Sequence, residues 1–491
     1  MIVVWLLLLI LMMYVILRSS VARVTRTPVW LLWLVLISPI TIWLVWLLIY
    51  HQQKPVPVEL ILGAMVVSSL VYWFLVQRGR QPPQTPEPKA SVSPLPPAEL
   101  PKKEVPSLIA PTEEETLRNC FPWSVFPLQK LEFRSQAVIC RGQLRSQPEV
   151  AYQTIRHRIE ERFGDRFLIM FQADSHNKPF FALVPNPYQA QNLVKTQAEP
   201  LNRPALAVAL AIITLFTTTV VGARMAGVSL ETWQAEPASL LQGLSYGMAL
   251  IGILGSHELA HYWIASRHGM RSTLPYFMPV PFFLGTLGAF VQMRSPFPHR
   301  RAMFDVSVLG PWVGLIITLP VLAWGLAHSQ IVTANPEKLG ILDFDHLDPS
   351  FSFLLTVLSK LALGTNLTAA KAIDLHPVAI AGYLGLIVTA FNLLPLGQLD
   401  GGRMIHAMLG QQAGIFIGQI TRICVLVLAL ARSEFWLLAL LLFFLPLNDE
   451  PALNDITELD NGRDLIGLVT LGLLLVILLP MPGAVAQLLG Y

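Results

Sequence analysis

The stretch LLQGLSYGMALIGILGSHELAHYWIA, at residues 240–265, decides how this chain folds. Most of its side chains are apolar, and it is longer than the roughly 20 residues that a helix needs to cross a hydrocarbon core. It nevertheless contains His257, Glu258 and His261. An ionised side chain at the centre of a membrane helix costs roughly 2.5–3.5 kcal/mol, so Glu258 is expected to have a compensating partner. The stretch therefore predicts a membrane helix with a polar site inside it.

These three polar residues form the pattern His-Glu-x-x-His. On a helix, positions i and i+4 lie one turn apart on the same face, so His257 and His261 can both bind one metal ion. Glu258 lies about 100° round the helix, where it can take a proton from a metal-activated water and return it to a leaving group. The alternative is a chance pattern on a solvated helix face, and the surrounding apolar run argues against it. The pattern therefore predicts a zinc site with hydrolytic chemistry.

A catalytic zinc usually has three protein ligands and an open fourth position, so a third ligand is expected elsewhere. Our candidate is Asp400 in FNLLPLGQLDGG, residues 391–402, at the end of a later apolar run. Asn392 and Pro395 are expected to interrupt the helix there, and such backbone at membrane depth needs protein cover or a wet cavity. The alternative is that Asp400 caps a helix that continues through Arg403. Both roles can hold at different oxygens.

The composition of the whole chain indicates a membrane protein. Of its 491 residues, 54% are hydrophobic and 13% are charged, about half the charged share of an ordinary soluble domain. The net charge is only +3, and the chain has no basic tract interleaved with aromatic residues, which excludes nucleic acid as a partner. Three cysteines without a C-x-x-C pair indicate neither a disulfide framework nor a cysteine zinc site. The lipid bilayer is the expected main solvent.

Changes in composition divide the chain into four predicted parts. These are three apolar runs within residues 1–80 (at 3–17, 29–50 and 57–77), a proline-rich linker at 81–112, a charged part at 113–199, and a largely apolar part at 200–491 with about seven runs (at 205–221, 240–265, 306–327, 378–396, 415–431, 435–447 and 465–479). The first run lacks both a positive n-region and a cleavage site, so we expect a retained anchor. The linker is interpreted as a semi-rigid spacer, with a partner-binding motif as the alternative.

The charged part is predicted to be a small α+β domain in the cytosol. Residues 137–140, 167–171 and 180–184 have the composition of strands, and residues 148–163 have the pattern of an amphipathic helix. Lysines and arginines beside the apolar runs indicate which loops are cytoplasmic, and they place this domain on that side. Its expected role is binding or positioning.

The remaining histidines are interpreted less specifically. His157, His268 and His299 lie among charged residues and are predicted to be on the surface. His406 follows Asp400 by six residues and is a candidate to support it. Three others are predicted to lie in external loops, away from the metal site: His328, His346 and His376.

Two motifs together resemble one family. The pattern His257-Glu258-x-x-His261 in one predicted span, with Asn392-x-x-Pro395-x-x-x-Leu399-Asp400-Gly401 in a later one, resembles the site-2 family of intramembrane zinc metalloproteases, peptidase family M50. Residues 285–295, 304–311 and 448–455 resemble its cyanobacterial and chloroplast branch, which includes the ethylene-dependent gravitropism-deficient and yellow-green proteins. The resemblance covers about residues 204–464 and leaves out the first 80 residues and the linker.

The resemblance implies a site-2 protease core, so the predicted fold is a polytopic α-helical membrane protein with that core and with the small cytosolic α+β domain inferred above from the residues. It implies one zinc ion per chain with His257, His261 and Asp400 as ligands. Glu258 is then the catalytic base and acid, and Asn392 is a catalytic donor to the oxyanion. Residues 286–293 would be an edge strand onto which an unwound substrate helix is added.

The expected function is therefore that of a zinc metalloendopeptidase which hydrolyses peptide bonds in or near transmembrane segments of membrane proteins. The expected partners are transmembrane protein substrates and the lipid bilayer. One alternative is a transporter or other non-proteolytic zinc-binding membrane protein, and another is an inactive homologue that acts as a chaperone for membrane segments. No Ser- and Arg-rich transit peptide precedes the first run, which favours a cyanobacterial plasma or thylakoid membrane. The active site is expected towards the cytoplasmic side.

Overall fold

The fold is taken from a computed structural model of the chain. It describes residues 28–50, 108–186, 203–333, 344–431 and 445–482, with gaps at 110, 135, 175–177, 281–283, 365–366 and 369–370, and scattered residues at 67–78, 435–442 and 485. The chain divides into two compact units, Met1–Lys102 and Lys103–Tyr491. The predicted apolar run at 3–17 and most of the predicted linker at 81–112 lie outside the described residues.

The first unit contains helix α1, Val29–Tyr50. This helix confirms the predicted apolar run at 29–50. Its 22 residues give a length of about 33 Å at 1.5 Å per residue, which matches a hydrocarbon core of about 30 Å. The terminal turns of α1 carry no charged side chain.

The second unit begins with a four-stranded antiparallel sheet and two helices, which we call the sheet domain. The strands pair in the order β1-β2-β4-β3. Their bounds, and those of the helices, are β1 Leu128–Arg134, β2 Ala137–Gly142, β3 Phe167–Ala173, β4 Pro179–Pro185, α2 Pro111–Asn119 and α3 Pro148–Phe163. The predicted strands and the predicted helix are confirmed. Strand β1 and helix α2 were not predicted, and the sequence of β1, LQKLEFR, has no strict alternation that would signal a strand.

The sheet domain is held together by aromatic side chains and one face of α3. Phe181 lies at the centre of this core, since its ring stacks on Phe171 with 4.2 Å between centroids and meets Phe126 edge-on at 5.0 Å. Helix α3 begins with Pro148 and buries residues one turn apart, including Ile155 and Ile159. This spacing gives an amphipathic helix that packs on the sheet.

The rest of the second unit is mainly helical. Its helices are α4 Pro204–Met225, α5 Leu230–Ala235, α6 Leu244–Arg267, α7 Arg300–Ala327, α8 Phe353–Leu363, α9 Pro377–Leu393, α10 Asp400–Leu409, α11 Gln411–Ala431 and α12 Asn461–Leu478. In the described residues of this helical part, five segments are long and apolar enough to cross a membrane: Pro204–Met225, Pro237–Arg267, Arg300–Ala327, Gln411–Leu430 and Asn461–Leu478. Five of the predicted runs are thereby confirmed as such helices. The run at 378–396 gives only the shorter α9, and the run at 435–447 is largely outside the described residues.

Helices α6, α7 and α9 form the centre of this helical part. Their apolar side chains share one buried cluster that includes Leu254, Leu315 and Leu384. Two short antiparallel strand pairs lie between the helices: the hairpin of β5 Tyr276–Pro279 with β6 Thr286–Phe290, and the pair of β7 Gln330–Thr333 with β8 Lys371–Asp374, between which α8 lies in the chain. The β5–β6 hairpin follows α6 and packs beside it. Residues on α6, on α9 and at the start of α10 are thereby brought to one place.

Candidate metal centre

His257, His261 and Asp400 come together between α6 and the start of α10. All three are buried, with 4%, 6% and 8% of their surface exposed. The Nε2 atoms of the two histidines are 3.1 Å apart. Asp400 Oδ2 lies 3.6 Å from His257 Nε2 and 3.2 Å from His261 Nε2. Each of the three offers one possible metal-ligand atom, and these atoms all lie within 4.8 Å of one another. Among the His, Cys, Asp and Glu side chains of the described residues, this is the group of three that could hold a metal ion.

One hydrogen bond fixes the form of the His261 ring. Its Nδ1 lies 2.9 Å from the backbone carbonyl of Val306 on α7. Because a carbonyl can only accept, Nδ1 carries the proton and donates it. With that proton on Nδ1, the atom free to bind a metal ion through a lone pair is Nε2, which lies 3.1 Å from His257 Nε2 and 3.2 Å from Asp400 Oδ2. Such a bond to the outer nitrogen is how proteins orient histidine ligands.

The spacing of the three ligand atoms fits a tetrahedral zinc ion. Zinc bonds to imidazole nitrogen and carboxylate oxygen are about 2.0–2.2 Å, so two ligands on neighbouring corners are about 3.3 Å apart. The three observed separations, between 3.1 and 3.6 Å, bracket that value. A lone pair of His261 that faces a carboxylate at 3.2 Å is repelled unless a cation or proton lies between them. The donor set therefore suits a divalent metal ion.

Two glycines on α7 make room for the imidazole rings. A Cβ atom at Gly310 would collide with the His261 ring, including Cδ2 at 2.7 Å, and a Cβ at Gly314 would lie 3.0 Å from His257 Nδ1. The glycines are four residues apart, as the histidines are, so one turn of α7 lies flat against one turn of α6. This role of the two glycines was not predicted from the sequence. The signal for it is the pair of small residues at i and i+4 in an otherwise bulky span.

Glu258 and Asn392 flank the three ligand atoms. Glu258 is partly buried on α6, and its carboxylate interacts with the backbone of Val291, directly after β6. Asn392 lies in the last turn of α9, with Nδ2 at 3.3 Å from His257 Nε2. Helix α9 ends one residue later, at Leu393, as Pro395 predicts. All five predicted site residues thus lie together in the structure.

Strand β6 lies next to this cluster. It pairs with β5 on one side, and its Leu287 is 70% exposed. Gly285, just before the strand, has a φ of +83° and a Cβ position only 2.6 Å from the Thr218 Cα, so only glycine fits this close approach to α4. The predicted strand at 286–293 is observed over Thr286–Phe290.

His268 and His299, which were predicted to be on the surface, are partly buried and hydrogen-bonded. His268 Nε2 lies 3.1 Å from Asp305 Oδ2, and Arg463 holds the same carboxylate in a two-pronged contact at 2.7 and 2.9 Å. His299 accepts a hydrogen bond from the Ala302 N–H and caps α7. Neighbouring arginines suggested solvation, but the loops fold back onto helix ends. His157 is exposed, as predicted.

His406 is the residue whose surroundings differ most from the sequence analysis. It was a candidate to support Asp400 directly, but its ring nitrogens contact Asp449 at 2.6 Å and Asp455 at 3.0 Å. Both aspartates lie in the polar loop at residues 448–455. All three side chains are buried. The loop is therefore bound to α10, which begins with Asp400.

Two parts of this chain match the sequence profiles of known protein families. Residues 246–431 match the sequence profile of peptidase family M50, and residues 115–192 match that of the EGY3 middle domain. Residues 246–431 thus form a peptidase family M50 domain. The two profiles lie on separate structural parts, since the first covers α6 to α11 and the second covers the sheet domain. The predicted family is thereby confirmed.

Several curated relatives carry the name of zinc metalloproteases. The M50 protein is 26% identical to the probable zinc metalloprotease EGY2, chloroplastic, of Oryza sativa subsp. indica, over 74% of this chain and 65% of the relative. It is 34% identical to the corresponding EGY1 of Arabidopsis thaliana over 49% and 42%, and 25% identical to EGY3 of Oryza sativa subsp. japonica over 75% and 64%. The chain thus spans less than two thirds of the length of these relatives. No solved structure matches it.

Family and helices together describe an integral membrane protein with an M50 domain. The bilayer is therefore a partner of this protein, as predicted. Its three cysteines are all in described parts of the chain and are free, with Cys120 and Cys140 buried and Cys424 exposed. They take no part in the candidate metal centre.

Proposed function

We propose that this M50 protein is an intramembrane zinc metalloendopeptidase that cleaves transmembrane segments of other membrane proteins. One observation carries the proposal: three buried ligand atoms converge at tetrahedral spacing, on helices of an apolar bundle, directly beside a glutamate. The names of the curated relatives support the same activity. They give no support to the alternatives of a transporter or an inactive chaperone.

The proposed roles follow the chemistry of each side chain. His257, His261 and Asp400 would hold one zinc ion, which when bound supplies Lewis-acid polarisation of a carbonyl and a water of lowered pKa. Glu258 accepts the proton of the attacking water and delivers it to the departing nitrogen. Asn392 donates from Nδ2 to the developing oxyanion, an interaction whose loss typically costs on the order of a hundredfold or more in rate.

Strand β6 is the proposed site for the substrate backbone. A transmembrane helix cannot be cut while its peptide groups are bonded internally, so it must unwind first. Adding it as a strand to an exposed edge restores those hydrogen bonds. Strand β6 pairs with β5, its Leu287 is 70% exposed, and it ends at Phe290, one residue before Val291, whose backbone interacts with Glu258. A peptide bond aligned there would be within reach of the glutamate.

The proposed arrangement places the site near the cytoplasmic face, with the predicted domain at 113–199 in the cytosol. Arginines at the ends of α6 and α7 and in α10 support this orientation, because short loops rich in Lys and Arg stay in the cytoplasm. These are Arg267, Arg300, Arg301 and Arg403. The predicted boundaries of the linker at 81–112 and of the protease domain at 200–491 remain proposals. A cyanobacterial plasma or thylakoid membrane is the proposed location.

The test is cleavage of a panel of single-span substrates in reconstituted membranes by wild type and Glu258→Gln, with zinc content measured for both. Glu231→Gln, an exposed carboxylate on α5, is the matched control. We expect wild type and the control to cleave, and Glu258→Gln to keep its zinc without cleaving. Cleavage by Glu258→Gln at the wild-type rate would refute the role of Glu258. Zinc transport across the same membranes, without any cleavage, would refute the proposed protease function.

A further inference from the structure

The buried cluster around His406 is a charged network outside the proposed active site. His406 Nδ1 donates to Asp449 at 2.6 Å, and its Nε2 donates to Asp455 at 3.0 Å. Because carboxylates only accept, both ring nitrogens carry protons and the ring is an imidazolium. Burial disfavours this charge, but the hydrogen bonds to the two aspartates outweigh burial and raise the pKa of His406 to about 9. Arg300 Nε also contacts Asp455, at 3.2 Å, so two positive charges balance two negative ones.

The same stretch of chain contacts α10 at its other end. The turn before Asp400 contains Gly397, with a φ of +50°, whose missing Cβ would collide with the backbone carbonyl of Pro446. Pro446 leads directly into the loop at 448–455, which we call the clamp loop. His406 lies about 9 Å further along α10 than Asp400, at 1.5 Å per residue. The chain around the clamp loop thus contacts both ends of the short helix that carries a proposed zinc ligand.

The clamp loop is also a bridge to the sheet domain. The Phe171 N–H on β3 donates to the Leu453 carbonyl at 2.6 Å, and the Asp455 N–H donates back to the Phe171 carbonyl at 2.9 Å. On its other side, the loop bonds through Leu453 and Asn454 to the backbone of Phe297 and Pro298, just before α7. Residues 453–455 therefore lie as a short parallel strand between β3 and the segment that leads into α7.

We propose that the clamp loop is a positioning device that couples the sheet domain to the metal centre through His406. Asp455 links the sheet domain to α10, since its backbone N–H bonds to Phe171 on β3 and its side chain accepts a hydrogen bond from His406 on α10. Metal ligands must stay within about 0.2 Å of their proper distances, so a small shift of α10 displaces Asp400 from the site. This inference rests on the proposed function for its catalytic outcome, and on the fold alone for its effect on metal binding.

The first variant is His406→Gln in the full-length protein, reconstituted in lipid nanodiscs. Zinc affinity is measured by competition with a chelator, together with kcat and KM for a substrate that the wild type cleaves. We expect zinc binding to weaken by up to about tenfold, because His406 acts on Asp400 through α10 and is not its direct partner, whose loss typically costs about 10- to 100-fold. We also expect kcat to fall with little change in KM, because strand β6 is untouched. Asp449→Asn, which keeps an acceptor oxygen and the shape, should show a smaller change of the same kind.

The matched control is Thr470→Val. It removes the buried hydrogen bond from Trp312 Nε1 to Thr470 Oγ1, 2.9 Å long, between α7 and α12, and does not touch the clamp loop. We expect a lower unfolding temperature and wild-type zinc affinity. If His406→Gln and Thr470→Val lose stability alike and both keep wild-type zinc affinity, the network is only structural and the proposal is overturned. If zinc affinity falls in His406→Gln but the wild type cleaves nothing, positioning stands and the proposed protease function fails.

Hydrogen exchange tests the link to the sheet domain. In His406→Gln, peptides that contain Phe171 and Asp455 should exchange faster together than they do in Thr470→Val, because one set of backbone bonds protects both. Unchanged exchange at Phe171, with faster exchange at Asp455, would show that the sheet domain is not coupled to His406 and would refute that part of the proposal.

Discussion

Gly310→Ala is the substitution whose effect on the metal centre follows most directly from the structure. The new methyl group would occupy the space of the His261 ring, with Cδ2 at 2.7 Å and other ring atoms nearer still. Comfortable contact between such atoms is about 3.5–4.0 Å, so the ring must retreat by roughly an ångström. That is several times the tolerance of about 0.2 Å in a metal–ligand distance. The hydrogen bond from His261 to Val306 is broken by the same movement.

We expect Gly310→Ala to weaken zinc binding by about 10- to 100-fold or more, because it disturbs both a ligand and the bond that orients it. Zinc affinity is measured by chelator competition on the purified protein, with cleavage measured in parallel. Two other glycines of α7 serve as controls. Gly314→Ala needs a shift of only a few tenths of an ångström at His257, where the closest atom is 3.0 Å away, and should weaken binding less.

Gly325→Ala is the second control, because its methyl group would collide with the backbone of Ala379 on α9. It strains the same helix away from the metal centre, so we expect a lower unfolding temperature and wild-type zinc affinity. If Gly310→Ala binds zinc as tightly as the wild type, or if Gly325→Ala loses zinc to the same extent, the packing argument for the two site glycines is refuted.

Three further predictions concern stability. The pKa of His406 is about 9 in the folded protein and about 6.5 when unfolded. Its network therefore stabilises the fold fully below about pH 6.5 and loses this effect as pH rises through 9. The unfolding temperature should fall between pH 6.5 and 9.5, and this fall should be smaller in His406→Gln than in the wild type. Phe181→Ala should destabilise the sheet domain by about 3–5 kcal/mol, seen as faster hydrogen exchange in β2 and β3 of the full-length protein, and exchange at wild-type rates would contradict the aromatic core. Asp305→Asn weakens the contacts to Arg463 and His268 and should cost about 1.5–3 kcal/mol, measured as a lower unfolding temperature with unchanged zinc content.

The part of the candidate site that could be predicted is the part that is local in sequence. Helix geometry alone places His257 and His261 on one face, and an apolar run around Glu258 makes a chance pattern improbable. Asp400 could be proposed as a ligand because a carboxylate at an interrupted helix is unusual, and the resemblance to a family then named it together with Asn392. No periodicity reveals how far along the chain a third ligand lies.

The parts that could not be predicted depend on contacts between distant residues. Gly310 and Gly314 are ordinary small residues until α7 is seen against the histidines. His268 and His299 lie beside arginines, which suggested solvation, while the carboxylate that binds His268 is on another helix. The same holds for His406, whose partners Asp449 and Asp455 lie 43 and 49 residues further along the chain. Charged neighbours in the sequence are therefore a poor guide to the exposure of a histidine when the fold brings acidic residues to it from distant parts of the chain.

The position of the clamp loop in the chain sets an order of assembly. Strand β3 is made early in synthesis, but residues 453–455, which cover its edge, emerge only after α11. Until then one edge of the sheet has open N–H and C=O groups, and the helix that begins with Asp400 has no partner for His406. The contacts that secure the proposed third metal ligand thus form only after both histidines have been made. A partly synthesised chain would therefore hold both histidines and still lack a complete candidate metal site.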